Sequence, residues 1–171
     1  MSLEPAINWE EGVNYFQSET FFREELDRYD GQRFNSELEN LFQAMVNRDK
    51  EKIYLYASTL KGSMYLISAE KAGHLADKMI PHIWEDNEKL LVESYIEFLQ
   101  EAKNVELNLA KIRNRNPDAV KFDVYQKEVK RLLLHPYDSP MKNSRLITLE
   151  DIPGQKSQNM CQGCEMKCNI F

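Results

Sequence analysis

Apolar residues recur at intervals of three and four along most of the first 134 positions of this chain, a spacing that predicts helices rather than strands. Asn8 opens a short first helix carrying Trp9, Val13 and Phe16, and Ser18 opens a second carrying Phe22, Leu26 and Tyr29. Gly31 is expected to bend or break that second helix. From about Phe34 the chain sets Leu38, Leu41, Phe42 and Met45 on one stripe, and Asp49 stands as the next cap. A helix from about Lys50 to Ile67 carries Ile53, Ala57, Leu60, Met64 and Ile67 on its apolar side. Ala69, Ala72, Ala76, Met79 and Ile80 make the next stripe, which Pro81 is expected to stop. The clearest element covers about 88–114. There Leu91, Tyr95, Phe98, Ala102, Val105, Leu109 and Ile112 alternate by four and three, like the seam of a bundle.

Four such helices with short links predict an all-α fold, an antiparallel four-helix bundle over residues 7–114 with a short leading helix. Pro117 then restarts the chain into an amphipathic helical extension, 117–135, with Phe122, Tyr125, Val129, Leu132 and Leu133 on its apolar side. Docking on its own bundle and docking on another protein are equally open for that face. Residues 136–171 lack periodicity and hold Pro140, Pro153 and Gly154, the pattern of a flexible tail.

Composition narrows the function classes. With 171 residues, 42% hydrophobic and 29% charged, the chain suits one globular domain and an extension. The net charge is −6, divided as −9 over residues 1–112 and +3 over 113–171, which argues against general nucleic-acid binding. No apolar run approaches the ~20 residues of a membrane helix. The first residues carry no basic-then-apolar leader, so the expectation is a chain neither secreted nor membrane-spanning. His74, His82 and His135 read as surface or helix-end residues. No nucleophile–base arrangement, paired carboxylates or Gly-rich phosphate loop stands out. No cofactor, metal or small-molecule substrate is expected.

A second stripe on the Lys50–Ile67 helix holds Tyr54, Ser58, Lys61 and Tyr65, with Gly62 beside it. The heptamer Ala57-Ser58-Thr59-Leu60-Lys61-Gly62-Ser63 resembles the phosphorylation-site helix of histidine-containing phosphotransfer domains, written A-H-x-L-K-G-[SA]. Ile7-Asn8-Trp9-Glu10-Glu11 resembles the leading helix of that family. Ala69-Glu70-Lys71-Ala72, Leu75-Ala76 and Met79-Ile80 resemble its third bundle helix, and the likeness covers residues 7–114. The resemblance implies a histidine that carries a phosphoryl group between receiver-domain aspartates, yet Ser58 stands in its place. A phosphoramidate is labile enough to be passed on, whereas a serine phosphate is a stable ester. The implied protein is a degenerate member, not an enzyme.

The neighbours of that position are kept. Lys61 matches the lysine whose charge steadies a phosphoryl group, and Gly62 the glycine that lets a partner approach. Plain alternatives are a solvated lysine and a helix–helix contact glycine. Ser68 replaces a frequent glycine in the turn that follows. Tyr54 and Tyr65, one turn to either side, suit a partly apolar protein-binding patch.

All three cysteines, Cys161, Cys164 and Cys168, fall in the last eleven residues, so no disulfide framework is available to the body. Cys168-Asn169-Ile170-Phe171 resembles a C-terminal prenylation signal, with Asn169 departing from the usual aliphatic residue. Cys161 and Cys164 resemble palmitoylation sites, and a second acyl chain is what turns reversible attachment into stable anchoring. Three thiolates without a nearby fourth ligand make a weaker metal site, and unmodified thiols are the remaining alternative.

Two function classes follow. The first is a silent phosphorelay adaptor that binds a receiver- or kinase-like partner at the cytoplasmic face of a membrane. The second is a structural subunit of a cytoskeletal or ciliary assembly. Phosphorylation of Ser58 as a switch is a third, lesser reading.

Overall fold

Side chains set where the helices begin. Asn8 Oδ1 accepts the Glu11 N–H at 3.3 Å, Ser18 Oγ that of Phe21 at 3.3 Å, Asp49 Oδ1 that of Lys52 at 3.1 Å and Asn87 Oδ1 that of Leu90 at 3.2 Å. Each satisfies a donor with no partner inside its own helix. The structure, a computed structural model, describes residues 5–85 and 87–134, the side chains of residues 31, 32 and 132–134 excepted. The expectations for His135, for Leu132 and Leu133 on the apolar face, and for the tail with its cysteines lie outside these described residues. The described residues are all-helical, with seven α-helices and no strand: α1 Trp9–Phe16, α2 Glu19–Arg28, α3 Phe34–Val46, α4 Lys50–Leu66, α5 Glu70–His82, α6 Glu88–Ile112 and α7 Val120–Leu134.

Gly31 does not break the chain of helices. Tyr29–Arg33 forms a π-helical turn in which the Phe34 N–H reaches the Tyr29 carbonyl, so α2 runs into α3 through a widened turn. Pro81 sits in the last turn of α5, which ends one residue later at His82. Residues 116–119 are irregular, so α7 starts three residues after Pro117.

Besides α1, whose end at Gln17 is also left-handed with φ of 52°, three helices end without the glycine that such ends favour. Arg48, Ser68 and Asn114 all take left-handed backbone, with φ of 52°, 55° and 51°. Each is followed by the paired hydrogen bonds of a Schellman motif: Asp49 N–H to Ala44, Ala69 N–H to Met64 and Arg115 N–H to Ala110.

The expected apolar stripes meet in one core. Leu38, Leu41, Phe42 and Met45 of α3 join Ile53, Ala57, Leu60 and Met64 of α4, Ala72, Ala76 and Met79 of α5, and Leu91 to Leu109 along the α6 seam. α4 packs on α3 and α5, and α5 packs on α6. Lys71 meets Glu101 and Lys78 meets Glu97, so α5 and α6 run antiparallel. At the leading hairpin Gly12 is indispensable, because a Cβ there would lie 2.1 Å from Cζ of Phe22.

α7 docks on its own chain, against α6 and α3. Phe122, Tyr125 and Val129 are buried with the core, and the Tyr125 ring stacks on Phe42 with centroids 4.2 Å apart. The connection from α6 is held by Arg115. Its Nε donates to Asp30 Oδ2 at 2.9 Å, and its Nη1 and Nη2 donate to the two oxygens of Glu106 at 2.7 and 3.0 Å. Both carboxylates are buried, and they hold the guanidinium pKa above its usual range, Glu106 contributing most.

Candidate functional site

With Ile53, Ala57, Leu60 and Met64 turned inward, the stripe Tyr54, Ser58, Lys61 and Tyr65 falls on the side of α4 that adjoins α5. The structure brings these residues into a ladder with α5 and the turn after it. Tyr54 and Trp84, 46% and 57% exposed, hold ring centroids 6.3 Å apart. Lys61 Nζ donates to Asp77 Oδ1 at 2.6 Å. Tyr65 Oη and His74 Nδ1 lie 2.9 Å apart, with the rings edge to face. Ser58 is half-buried and belongs to the same row.

The Asp77 hydrogen bond raises the pKa of Lys61 from its ordinary value, with burial opposing it. An anion on Ser58 would therefore compete with Asp77 for this ammonium. Lys61 is paired rather than simply solvated, which sequence reading did not anticipate.

Gly62 shows what its missing side chain leaves open. At Gly12 the space is filled by Phe22, and at Gly73 a Cβ would sit 3.1 Å from the Tyr65 ring. Around a Cβ at Gly62 nothing lies within 4 Å, and the residue is exposed. The helix–helix contact reading of Gly62 is thereby excluded within the described fold. Mid-helix glycine costs about 1 kcal/mol against alanine, and no packing among the described residues offsets it here.

A buried polar cluster pins the helix from behind. Ser63 Oγ donates to Glu37 Oε1 at 3.1 Å and Tyr29 Oη to Glu37 Oε2 at 3.2 Å, with Arg33 Nη2 3.5 Å from the carboxylate. Burial raises the Glu37 pKa, against the opposing pull of Ser63 and Arg33. It also pushes the Tyr29 hydroxyl upward. α4 is thus fixed to α3 one residue from Gly62.

Beyond Tyr54 and Trp84, an open cleft of about 270 Å³ lies between Met45, Ile53, Ile83, Leu91 and Val92, rimmed by charged side chains. His82, in the last turn of α5, holds its Nδ1 2.9 Å from Glu85 Oε2. Among the described residues no group of three or more His, Cys, Asp or Glu is placed to hold a metal ion. No helix among them is long and apolar enough to cross a membrane.

Sequence reading found the α4 row and missed its α5 half. His74, Asp77 and Pro81 repeat at intervals of three and four, an exposed stripe visible in the sequence. The match of His74 to Tyr65 and of Asp77 to Lys61 needed the antiparallel register. Comparison of the chain with protein-family models, with curated proteins and with solved structures gives no match.

Proposed function

We propose that residues 7–114 are an antiparallel four-helix unit of the histidine-phosphotransfer type, with Ser58 at the phosphoryl-carrying position. On this reading the chain is a catalytically silent adaptor that binds a receiver- or kinase-like protein through the α4/α5 face. Lipid on Cys168, with Cys161 and Cys164, tethers it to the cytoplasmic face of a membrane.

Gly62 carries the reading. A glycine that weakens its helix and packs on nothing among the described residues leaves room for a partner backbone or side chain to come close. The exposed Tyr54 ring, about two turns earlier on α4, and the Trp84 ring against it are the kind of residue that anchors protein interfaces. Ser58 and the Lys61–Asp77 pair support silence: the nucleophile is wrong for a relay, and the cation is already engaged.

The test is titration of isotope-labelled protein with receiver domains, followed by NMR. Shifts should concentrate at Tyr54, Lys61, Gly62 and Trp84, and Gly62→Arg should abolish them. Absence of shifts on this face defeats the proposal. With a phosphorylated receiver domain, Ser58→His should gain acid-labile phosphate while the unmodified chain gains none; phosphohistidine on the unmodified chain would defeat the silent reading.

A further inference from the structure

The seat of α7 combines a buried ammonium and an unpaired buried hydroxyl with its apolar contacts. Lys121, on its first turn, is 4% exposed, its ammonium 5.7 and 5.2 Å from the ring centroids of Phe34 and Phe122. It donates to Asn35 Oδ1, and the nearest carboxylate, Asp118, is 3.7 Å away. Four residues on, the Tyr125 hydroxyl donates to Glu39 Oε2. Behind it, on α6, Tyr95 is fully buried, and among the described residues its hydroxyl has no hydrogen-bond partner. Taking the ammonium out of water and leaving a hydroxyl unpaired both carry a cost, which the two ring faces, Asn35 and Asp118 offset only in part for Lys121. They fall on this one seam.

The loop leading into α7 is, by contrast, fastened. Arg115 grips Asp30 and Glu106, the Asp118 N–H donates to Glu106 Oε1 at 2.7 Å, and Arg113 Nη1 lies 3.5 Å from Asp30. Between this clasp and the buried face of α7 stands Val120, exposed and outside the core. Beyond Val120 the surface ion pair tying α7 to α6 is Lys103 with Asp123, at 2.7 Å. A fixed pivot thus adjoins a helix whose contacts partly oppose one another.

We propose that α7 is a latch, leaving the groove between α3 and α6 as a unit by pivoting after the Arg115 clasp while α1–α6 stay folded. The groove it uncovers is walled by Phe34, Phe42 and Tyr95. Its occupant is α7 itself, which shows what the groove accepts: an amphipathic helix with two aromatic rings three positions apart. Release converts a covered aromatic surface into an exposed one, so whatever holds α7 down controls access to it.

Native-state hydrogen exchange on the full chain tests the latch. Amides of residues 122–130 should exchange at least about tenfold faster than those of 98–109, with a shallower denaturant dependence, as for a local opening. Lys121→Met keeps the stem and removes the buried charge. It should slow exchange about tenfold in α7 and leave α6 unchanged, because the relieved penalty belongs to the closed latch alone. Tyr125→Ala should speed α7 alone. Equal protection of α7 and α6, with both variants moving the two helices together, would overturn the proposal. As a second measure, a fluorescent peptide of residues 117–134 should bind the Tyr125→Ala chain about tenfold more tightly than the unmodified chain, since the groove is open for more of the time. Equal affinity for the two would also count against the latch.

Discussion

Replacing Arg115 by Met removes one cation from between two carboxylates that water scarcely reaches. The Asp30 side chain is 5% exposed and that of Glu106 1%. Breaking a buried pair by deleting one partner costs about 3–5 kcal/mol, because the remaining charge is left uncompensated. Two contacts soften the loss here. Glu106 keeps the Asp118 N–H at 2.7 Å, and Asp30 keeps Arg113 at 3.5 Å. The lower end of that range, about 3 kcal/mol, is therefore expected, which for a chain of this size lowers Tm by about 6–12 °C. Urea unfolding followed by circular dichroism at 222 nm gives the number directly. The companion variant Asp30→Asn/Glu106→Gln/Arg115→Met carries no buried charge at this site and should recover at least half of the loss. A loss below about 1 kcal/mol for Arg115→Met, or no recovery in the triple variant, would show that the clasp is held by something other than charge.

Three further outcomes are open to measurement. Gly62→Ala should raise stability by about 0.5–1 kcal/mol while weakening binding to a receiver-type partner; a destabilised variant would mean that the open side of α4 is packed after all. Glu37→Gln has a defined pH signature. The folded pKa of Glu37 is raised, so its contribution is fully present below the unfolded value of 4.5 and is lost as pH rises through the folded value. The stability of Glu37→Gln relative to the unmodified chain should therefore climb across that window and then level off, whereas a difference that falls with pH would reverse the assignment. In a eukaryotic cell Cys168→Ser should move the full chain from membranes to the soluble fraction, and mass spectrometry showing an intact, unmodified Phe171 terminus on the native protein would end the lipid-tether reading.

Helix starts were legible because a cap is a local event. Asn8, Ser18 and Asp49 each precede an apolar period, and each caps the helix expected of it. The α6 seam was legible for a similar reason, since one long helix displays its whole period, with Phe98 at its centre fully buried. Helix ends were harder to read. Arg48 and Ser68 adopt the left-handed backbone that glycine would announce, so the usual signal is missing from the sequence. Gly31 gave its usual signal for a bend, but the backbone absorbed the disturbance as a π-helical turn. In the site, the α4 row showed as a period within one helix. Asp77 and Trp84 did not, since their roles depend on which residues of a second helix lie opposite. The clasp was out of reach altogether, because nothing near Asp30 in the sequence points to Arg115. For α7 the apolar face was visible, and only the groove between α3 and α6 could say where it would go.

The Arg115–Asp30, Lys121–Asn35 and Tyr125–Glu39 bonds each close 85 or 86 residues of chain. The contacts among α4, α5 and α6, by comparison, are between chain neighbours. Loop closure must be completed before distant contacts contribute, so topology divides the folding reaction into an early local stage and a late one. In φ-value terms, truncations at Leu60, Ala76 or Phe98 should slow folding, whereas truncation at Tyr125 should mainly accelerate unfolding. Kinetic persistence of the native chain would then be governed by the last contacts made, the ones that join residues 30–39 to residues 115–125.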